Sequence, residues 1–307
     1  MFSIISTKEL KAHTIEMLLR RAQFYVEQEK AGTDQSLFTH NVEGTVVNLF
    51  FEPSTRTNLS FQMAANRLGL RTLDFTVETS SVRKGESVID SLQTVNALGV
   101  DIAIVRHQLD WPALVSKEMF NMALVNAGSG TQEHPTQALL DALTMQQHFG
   151  RLRGLTITIV GDVLHSRVAR SNAALLQTMG AKVQLAAPEE YKTSDIPGAV
   201  WVEFDQALVE TDVIMMLRVQ HERHKTISAI ANYNDYYGLN QRRLEMLSKD
   251  AIILHPGPVN RGFEITDEVL LDSRCKILQQ VRNGVAMRMA VLELCLQGGK
   301  HEKLVSA

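Results

Sequence analysis

The stretch TVVNLFFEPSTRTNLSFQMAANRLG, residues 45–69, joins a strand to a helix through a turn rich in hydroxyls. Thr45 to Phe51 is a short apolar run with β-branched residues, closed by Pro53, and reads as a strand. Beyond Ser54, Phe61, Ala64, Ala65 and Leu68 recur at i, i+3, i+4 and i+7 until Gly69, which is helix periodicity with its stop signal. Similar runs predict strands at 71–75, 101–105, 124–126, 155–160, 183–186, 213–217 and 251–254, separated by amphipathic stretches. Strands alternating with helices indicate an α/β chain. Runs so uniformly apolar indicate parallel sheets covered on both faces.

Leu139 to Phe149 ends in Gly150 and Gly154, after which LTITIVGD restarts the pattern. A domain boundary is therefore expected within 135–150. A final helix is expected over 281–296, with Val281, Val285, Met289 and Leu292 on one face and Arg282, Arg288 and Glu293 read as a solvated or interface face. A length of 307 residues leaves room for two domains of about 150 residues each. Lys and Arg total 31 against 34 Asp and Glu, a formal net charge of -3, which disfavours a nucleic acid or an anionic membrane as partner. No apolar run reaches the roughly 18 residues of a membrane span, and residues 1–20 carry a helix-start signal at Ser6-Thr7 but no secretory core, so a cytoplasmic protein is expected. The two cysteines, Cys275 and Cys295, sit in helix-like surroundings and read as buried or incidental thiols.

Glu52-Pro53-Ser54-Thr55-Arg56-Thr57 places free backbone N–H groups, hydroxyls and a guanidinium at one helix start, which suits a phosphate. A plain Ser54 N-cap with Arg56 as a surface charge fits the same spacing. Arg106-His107 follows the strand at 101–105, where ligands collect in open α/β sheets. His134-Pro135-Thr136-Gln137 follows a glycine-rich turn and offers hydrogen bonds to a carbonyl and an amide. Gly161-Asp162 with His165-Ser166-Arg167 opens another strand-to-helix turn, but no G-x-G-x-x-G is present and a dinucleotide is not expected. Leu217 to Arg223 supplies Arg218, Gln220, Glu222 and Arg223, suited to carboxylates, and His255 to Gly262 is a Pro/Gly-constrained loop. Ser80 to Glu86 is a polar loop with Arg83 and Lys84. Walker, H-E-x-x-H, EF-hand, paired-cysteine and G-x-S-x-G motifs are absent, and the pair His221/His224 lacks a third ligand, so chemistry without metal or organic cofactor is expected.

In this order FFEPSTRT, the SxxxKGE loop, VRH, HPTQALLD, GDxxHSRVARS, LRVQxER and HPGPVNRG resemble the aspartate/ornithine carbamoyltransferase family, over about residues 45 to 290. HPTQ and LRVQxER look like its aspartate branch; the HPCQ, Ser-Met-Gly and His-Cys-Leu-Pro segments of the ornithine branch are missing. The resemblance implies two Rossmann-like parallel-sheet domains with the active site in the cleft between them. Residues 1–136, completed by a C-terminal helix at 284–307, would bind carbamoyl phosphate, and 137–283 would bind L-aspartate. It implies transfer of the carbamoyl group to the α-amino group of L-aspartate, an early step of pyrimidine biosynthesis. Transfer to another amine such as ornithine, or a catalytically silent homologue, are the alternatives.

By position, the resemblance assigns Ser54, Thr55, Arg56, Thr57, Ser80, Lys84 and Arg106 to the phosphate end of carbamoyl phosphate, and His134 to its carbonyl oxygen. Gln137 and the carbonyls of Gly257 and Pro258 would hold the carbamoyl NH2. Arg56, Thr57, Lys84, Arg106 and His134 would stabilise charge during transfer. Lys84, Arg167, Arg218 and Gln220 would bind L-aspartate, while Glu52, Glu222 and Arg223 would bridge the domains on closure. A homotrimer is implied, with the loop of Ser80 and Lys84 reaching a neighbouring subunit's site; any regulatory or partner chain stays open. The family often shows STRTR-x-SFE where this chain has Asn58 and Gln62, which implies altered helix contacts.

Overall fold

The computed structural model describes residues 1–32, 43–73, 75, 85–219 and 232–298. They form two compact units, one of residues 1–143 and 281–307 and one of 144–280.

The first unit carries a parallel sheet of β1 (Thr45–Phe50), β2 (Arg71–Leu73), β3 (Ile102–His107) and β4 (Ala123–Ser129), in the order β2-β1-β3-β4. Leu49, Ala103, Val105 and Leu124 form its core with Leu92 and Val95 of the helix Val88–Ala97 and with Trp111. Burying a side chain such as Leu92 fully is worth about 1.5–3 kcal/mol. Ser87 and Asp90 start that helix with a reciprocal capping box. The N-terminal segment runs along β4, where Ile4 N–H donates to Leu124 O at 2.9 Å and Asn126 N–H to Ile4 O at 2.8 Å. The helix Ala12–Lys30 is tied to the terminal helix Ile277–Leu296 by a fork in which Arg21 Nε and Nη2 donate to Glu293 at 2.7 and 2.8 Å.

The second unit carries a parallel sheet of β5 (Thr156–Val160), β6 (Lys182–Ala186), β7 (Val200–Trp201), β8 (Val213–Met216) and β9 (Ile252–Leu254), in the order β7-β6-β5-β8-β9. Val160, Ile214, Met216 and Ile253 pack with Phe204, Leu208, Leu244 and Ile265.

Several expectations change in detail. β2 is exposed at all three residues, so the covered-sheet rule fails at this edge. β7 pairs over only two residues, below what periodicity resolves. Ser6 caps a single 3-10 turn, Thr7–Glu9, and the helix proper begins at Ala12. The terminal helix begins at Ile277, four residues ahead of the expected start. Cys275 lies outside any helix, in a parallel bridge with Ile253, whereas Cys295 is buried in the terminal helix, where burial pushes its thiol up to about 12. No helix among the described residues is long and apolar enough to cross a membrane.

Candidate active site

In the first sheet the chain leaves β1 towards β2 on one side and builds β3 and β4 on the other. The carboxyl ends of β1 and β3 therefore flank a switch point, the place where open α/β sheets form ligand crevices. Phe50 pairs with Arg106 across it, and the Phe51 N–H donates to the Arg106 carbonyl at 2.8 Å. Ser54 is the extended N-cap of the helix Thr55–Arg67, and its hydroxyl makes no capping bond, contrary to a plain cap. The first-turn N–H groups and the positive end of this helix are thus at the sheet's ligand edge. Thr55 and Arg56 are exposed there and Thr57 is buried. Asn58 Oδ1 accepts from Asn48 Nδ2 at 2.7 Å, so the residue that departs from the family pattern braces the helix against β1.

Arg106 Nη2 donates to Glu52 Oε1 at 2.8 Å and Nη1 to Ala127 O at 3.3 Å. The β3–β4 register shifts between Val105 and Arg106, a local irregularity of the kind that re-aims side chains beside sites. His107 Nδ1 accepts from the Leu109 N–H at 2.8 Å, and burial holds this imidazole below its usual range despite Glu52 nearby.

Beyond β4, the Glu133 carboxylate accepts from Ser6 Oγ, Thr7 N–H and Thr7 Oγ1, each at 2.6 Å, which pins the residue before His134. His134 is buried, and its carbonyl accepts from the Gln137 and Ala138 N–H groups at the start of the helix Pro135–Phe149, with Pro135 at the first helical position. Gln137 Nε2 donates to Asp141 Oδ1 at 2.9 Å. Ser54, Thr55, Arg56, Thr57, Arg106, His134 and Gln137 therefore all follow or end β1, β3 and β4 at one edge of one sheet. Ser80 and Lys84 lie outside the described residues.

The second unit has its own switch point between β5 and β8. Gly161, at φ +123°, follows β5, and a Cβ there would stand 3.0 Å from Tyr233 Oη and 3.3 Å from Leu217 Cβ. The buried Asp162 accepts from the His165 N–H and faces His165 Nδ1 at 2.8 Å, shaping the turn into the helix Arg167–Thr178, which Ser166 caps. Arg167 is its buried first residue, and Arg218 follows β8, partly buried. After β9, Gly257 has φ +66°, its N–H donates to His255 Nδ1 at 2.8 Å, and Pro258 follows, exposed. Gln220, Glu222, Arg223 and the His221/His224 pair lie outside the described residues. Glu52, expected to bridge domains, is paired here with Arg106 of its own unit.

Four polar residues around these turns escape a reading from sequence alone. Glu133 and the fully buried Asp141 hold His134 and Gln137 in place. Arg288, expected with Glu293 on a solvated or interface face, is buried, as Glu293 is against Arg21; its guanidinium lies 4.9 Å from the Phe61 ring centroid, and burial draws its pKa down to about 9, Asp141 opposing and Arg106 adding to the fall. The buried Glu264 accepts from Val219 N–H, Asn260 N–H and Asn260 Nδ2 at 3.0, 2.9 and 2.8 Å. It links the loop after β8 to the loop after β9, and burial raises its pKa to about 7 against the opposing hydrogen bonds. The spacing of Gln137 and Asp141 at i, i+4 within HPTQALLD was the one signal available in advance.

Known proteins match the chain along its length. The aspartate/ornithine carbamoyltransferase carbamoyl-P binding domain model matches residues 3–147, and the family's Asp/Orn binding domain model matches residues 153–295. The aspartate carbamoyltransferase catalytic subunit of Rhodospirillum centenum is 45% identical over 306 residues, covering 96% of this chain and 94% of that protein. The crystal structure of Trypanosoma cruzi aspartate transcarbamoylase in complex with carbamoyl phosphate superposes with a TM-score of 0.85 at 30% identity, covering 94% of this chain and 95% of that one. Its complex with N-(phosphonacetyl)-L-aspartic acid gives a TM-score of 0.83 at 30% identity, with 94% of each chain covered. With both domain models in sequence order and this degree of identity, the chain belongs to the aspartate/ornithine carbamoyltransferase family.

Proposed function

We propose that this chain is an aspartate carbamoyltransferase, which makes N-carbamoyl-L-aspartate and phosphate from carbamoyl phosphate and L-aspartate, an early step of pyrimidine biosynthesis. The observation that carries the reading is the convergence of the Ser54–Thr57 helix start, Arg106 and His134–Gln137 on the carboxyl ends of three adjacent parallel strands. The 45% identical relative bears the same activity in its name.

The amine nitrogen of aspartate attacks the carbamoyl carbon, a C–N bond forms, and the C–O bond to phosphate breaks with its electron pair leaving on phosphate. The departing phosphate takes the amine proton, so no side-chain nucleophile is needed. Thr57, Arg106 and His134 donate to the oxygen that becomes negative in the tetrahedral state. Arg56, the first-turn N–H groups and Lys84 receive the leaving phosphate, with Ser54, Thr55 and Ser80 holding it beforehand. Gln137, with the Gly257 and Pro258 carbonyls, holds the carbamoyl NH2. Arg167, Arg218, Gln220 and Lys84 neutralise the two carboxylates of L-aspartate. Orienting the two reactants contributes on the order of 7–11 kcal/mol for well-aligned pairs.

The unit of residues 1–143 and 281–307 binds carbamoyl phosphate in this reading, and that of 144–280 binds L-aspartate. Glu52, Glu222 and Arg223 act in closure. The working form is a cytoplasmic homotrimer with shared active sites. Carbamoylation measured with L-aspartate and L-ornithine side by side tests the proposal: turnover with aspartate alone supports it, and turnover with ornithine, or with neither, overturns it.

A further inference from the structure

We propose that Asp141 is a specificity-determining positioning residue, which orients the Gln137 amide so that its oxygen faces the ligand and the subsite selects NH2 over methyl. The inference rests on the reading that Gln137 holds the carbamoyl NH2.

A carboxylate only accepts hydrogen bonds, so the group that Gln137 turns towards Asp141 at 2.9 Å must be its NH2. A flipped amide would set two acceptor oxygens against each other where Asp141 is 0% exposed, losing this hydrogen bond and adding a repulsion in its place. The i, i+4 spacing on the helix Pro135–Phe149 holds the pair in one geometry. Oε1 is therefore committed to the other side as an acceptor. Carbamoyl phosphate presents an NH2 donor to it, whereas an acyl phosphate with methyl in that place presents nothing and leaves the oxygen unsatisfied.

The carboxylate has its own support. Arg288, from the terminal helix, is buried and attracted electrostatically to Asp141. Gly284, one turn earlier, makes room for it, since a Cβ there would lie 2.6 Å from Arg288 Nη1. Arg288, Asp141 and Gln137 thus form a buried series that ends in one directed acceptor, built by residues none of which except Gln137 would touch the ligand.

Asp141→Asn tests this because the Arg288 cation draws the new amide oxygen to itself and turns its NH2 onto Gln137. Gln137 must then present Oε1 to residue 141 and NH2 to the ligand. Binding is measured with two stable probes, phosphonoacetamide, which keeps the NH2, and acetonylphosphonate, which has methyl there. Wild type should prefer phosphonoacetamide. In Asp141→Asn its Kd should rise about tenfold or more, as expected for a lost and opposed hydrogen bond, while that of acetonylphosphonate changes less than about twofold. An unchanged preference in the folded variant, or an equal loss for both probes, overturns the inference. Should Asp141→Asn fail to fold, Asp141→Leu with Arg288→Met removes the buried charges together, leaves the Gln137 NH2 no acceptor to face, and is read by the same ratio, a fall supporting the inference and no fall overturning it. Absence of any preference in wild type instead overturns the assignment of Gln137 to the carbamoyl NH2.

Discussion

The Arg106 guanidinium donates to Glu52 Oε1 across 2.8 Å while its other terminal nitrogen reaches the Ala127 carbonyl at 3.3 Å. One cation thereby ties the turn after β1 to β4, on either side of its own strand. Its position is set by protein groups, which is the preorganisation that its proposed role in stabilising charge requires.

Arg106→Lys should damage the site although charge is kept, because an ammonium on a flexible stem cannot make this two-way fork. We expect the KM for carbamoyl phosphate to rise about tenfold or more, with kcat also reduced. Steady-state kinetics at saturating L-aspartate provide the check, and near-wild-type values would show that the fork is unnecessary.

Arg56 is exposed at the first turn of its helix, so Arg56→Ala should change stability by no more than about 0.5 kcal/mol. Its proposed work is on charge that develops during transfer, so kcat should fall about 100- to 1000-fold. Thermal melts beside kinetics separate the two effects, and a large loss of melting temperature would assign Arg56 a structural role.

Arg218→Ala should raise the KM for L-aspartate by about 100-fold and leave carbamoyl phosphate binding within about twofold. Weakened carbamoyl phosphate binding with intact aspartate affinity would reverse the assignment of substrates to the two units.

Glu264 predicts a pH dependence of stability. Burial raises its folded pKa from 4.5 to about 7. Between those values the folded chain holds more proton than the unfolded chain, so stability falls as pH rises from about 4.5 through about 7, by at most about 3 kcal/mol. Below that window both states are protonated and the penalty is absent. Glu264→Gln cannot ionise, so its stability relative to wild type should increase with pH across the window. Urea denaturation of both proteins at a series of pH values measures the difference, and a difference that does not vary with pH would contradict the assignment.

Inactive Lys84→Ala and Arg56→Ala chains, once mixed and allowed to exchange subunits, should recover part of the activity if Lys84 completes a neighbour's site. Hybrids purified by distinct tags and assayed for carbamoylation decide it; none active would mean that each chain supplies its own Lys84.

The strands from β1 to β9, apart from β7, could be read from sequence because alternation of short apolar runs with 3.6-period stretches is a local property. The hydroxyl-rich helix start at Ser54, the cations after the strands and the order of the family motifs are equally local. Pairing is not local. The order β2-β1-β3-β4, the register shift beside Arg106 and the exposure of β2 depend on residues far apart in the chain meeting across a sheet. The same holds within the site. Only the folded chain shows that Ser54 leaves its helix uncapped, that Glu133 is gripped by residues 126 and 127 positions away, and that Glu264 joins two loops. Composition and periodicity specify which segments can form strands and helices and which reactive groups end them. Where each acceptor points is decided by burial, since a polar atom removed from water must find its partner wherever the packed core places one.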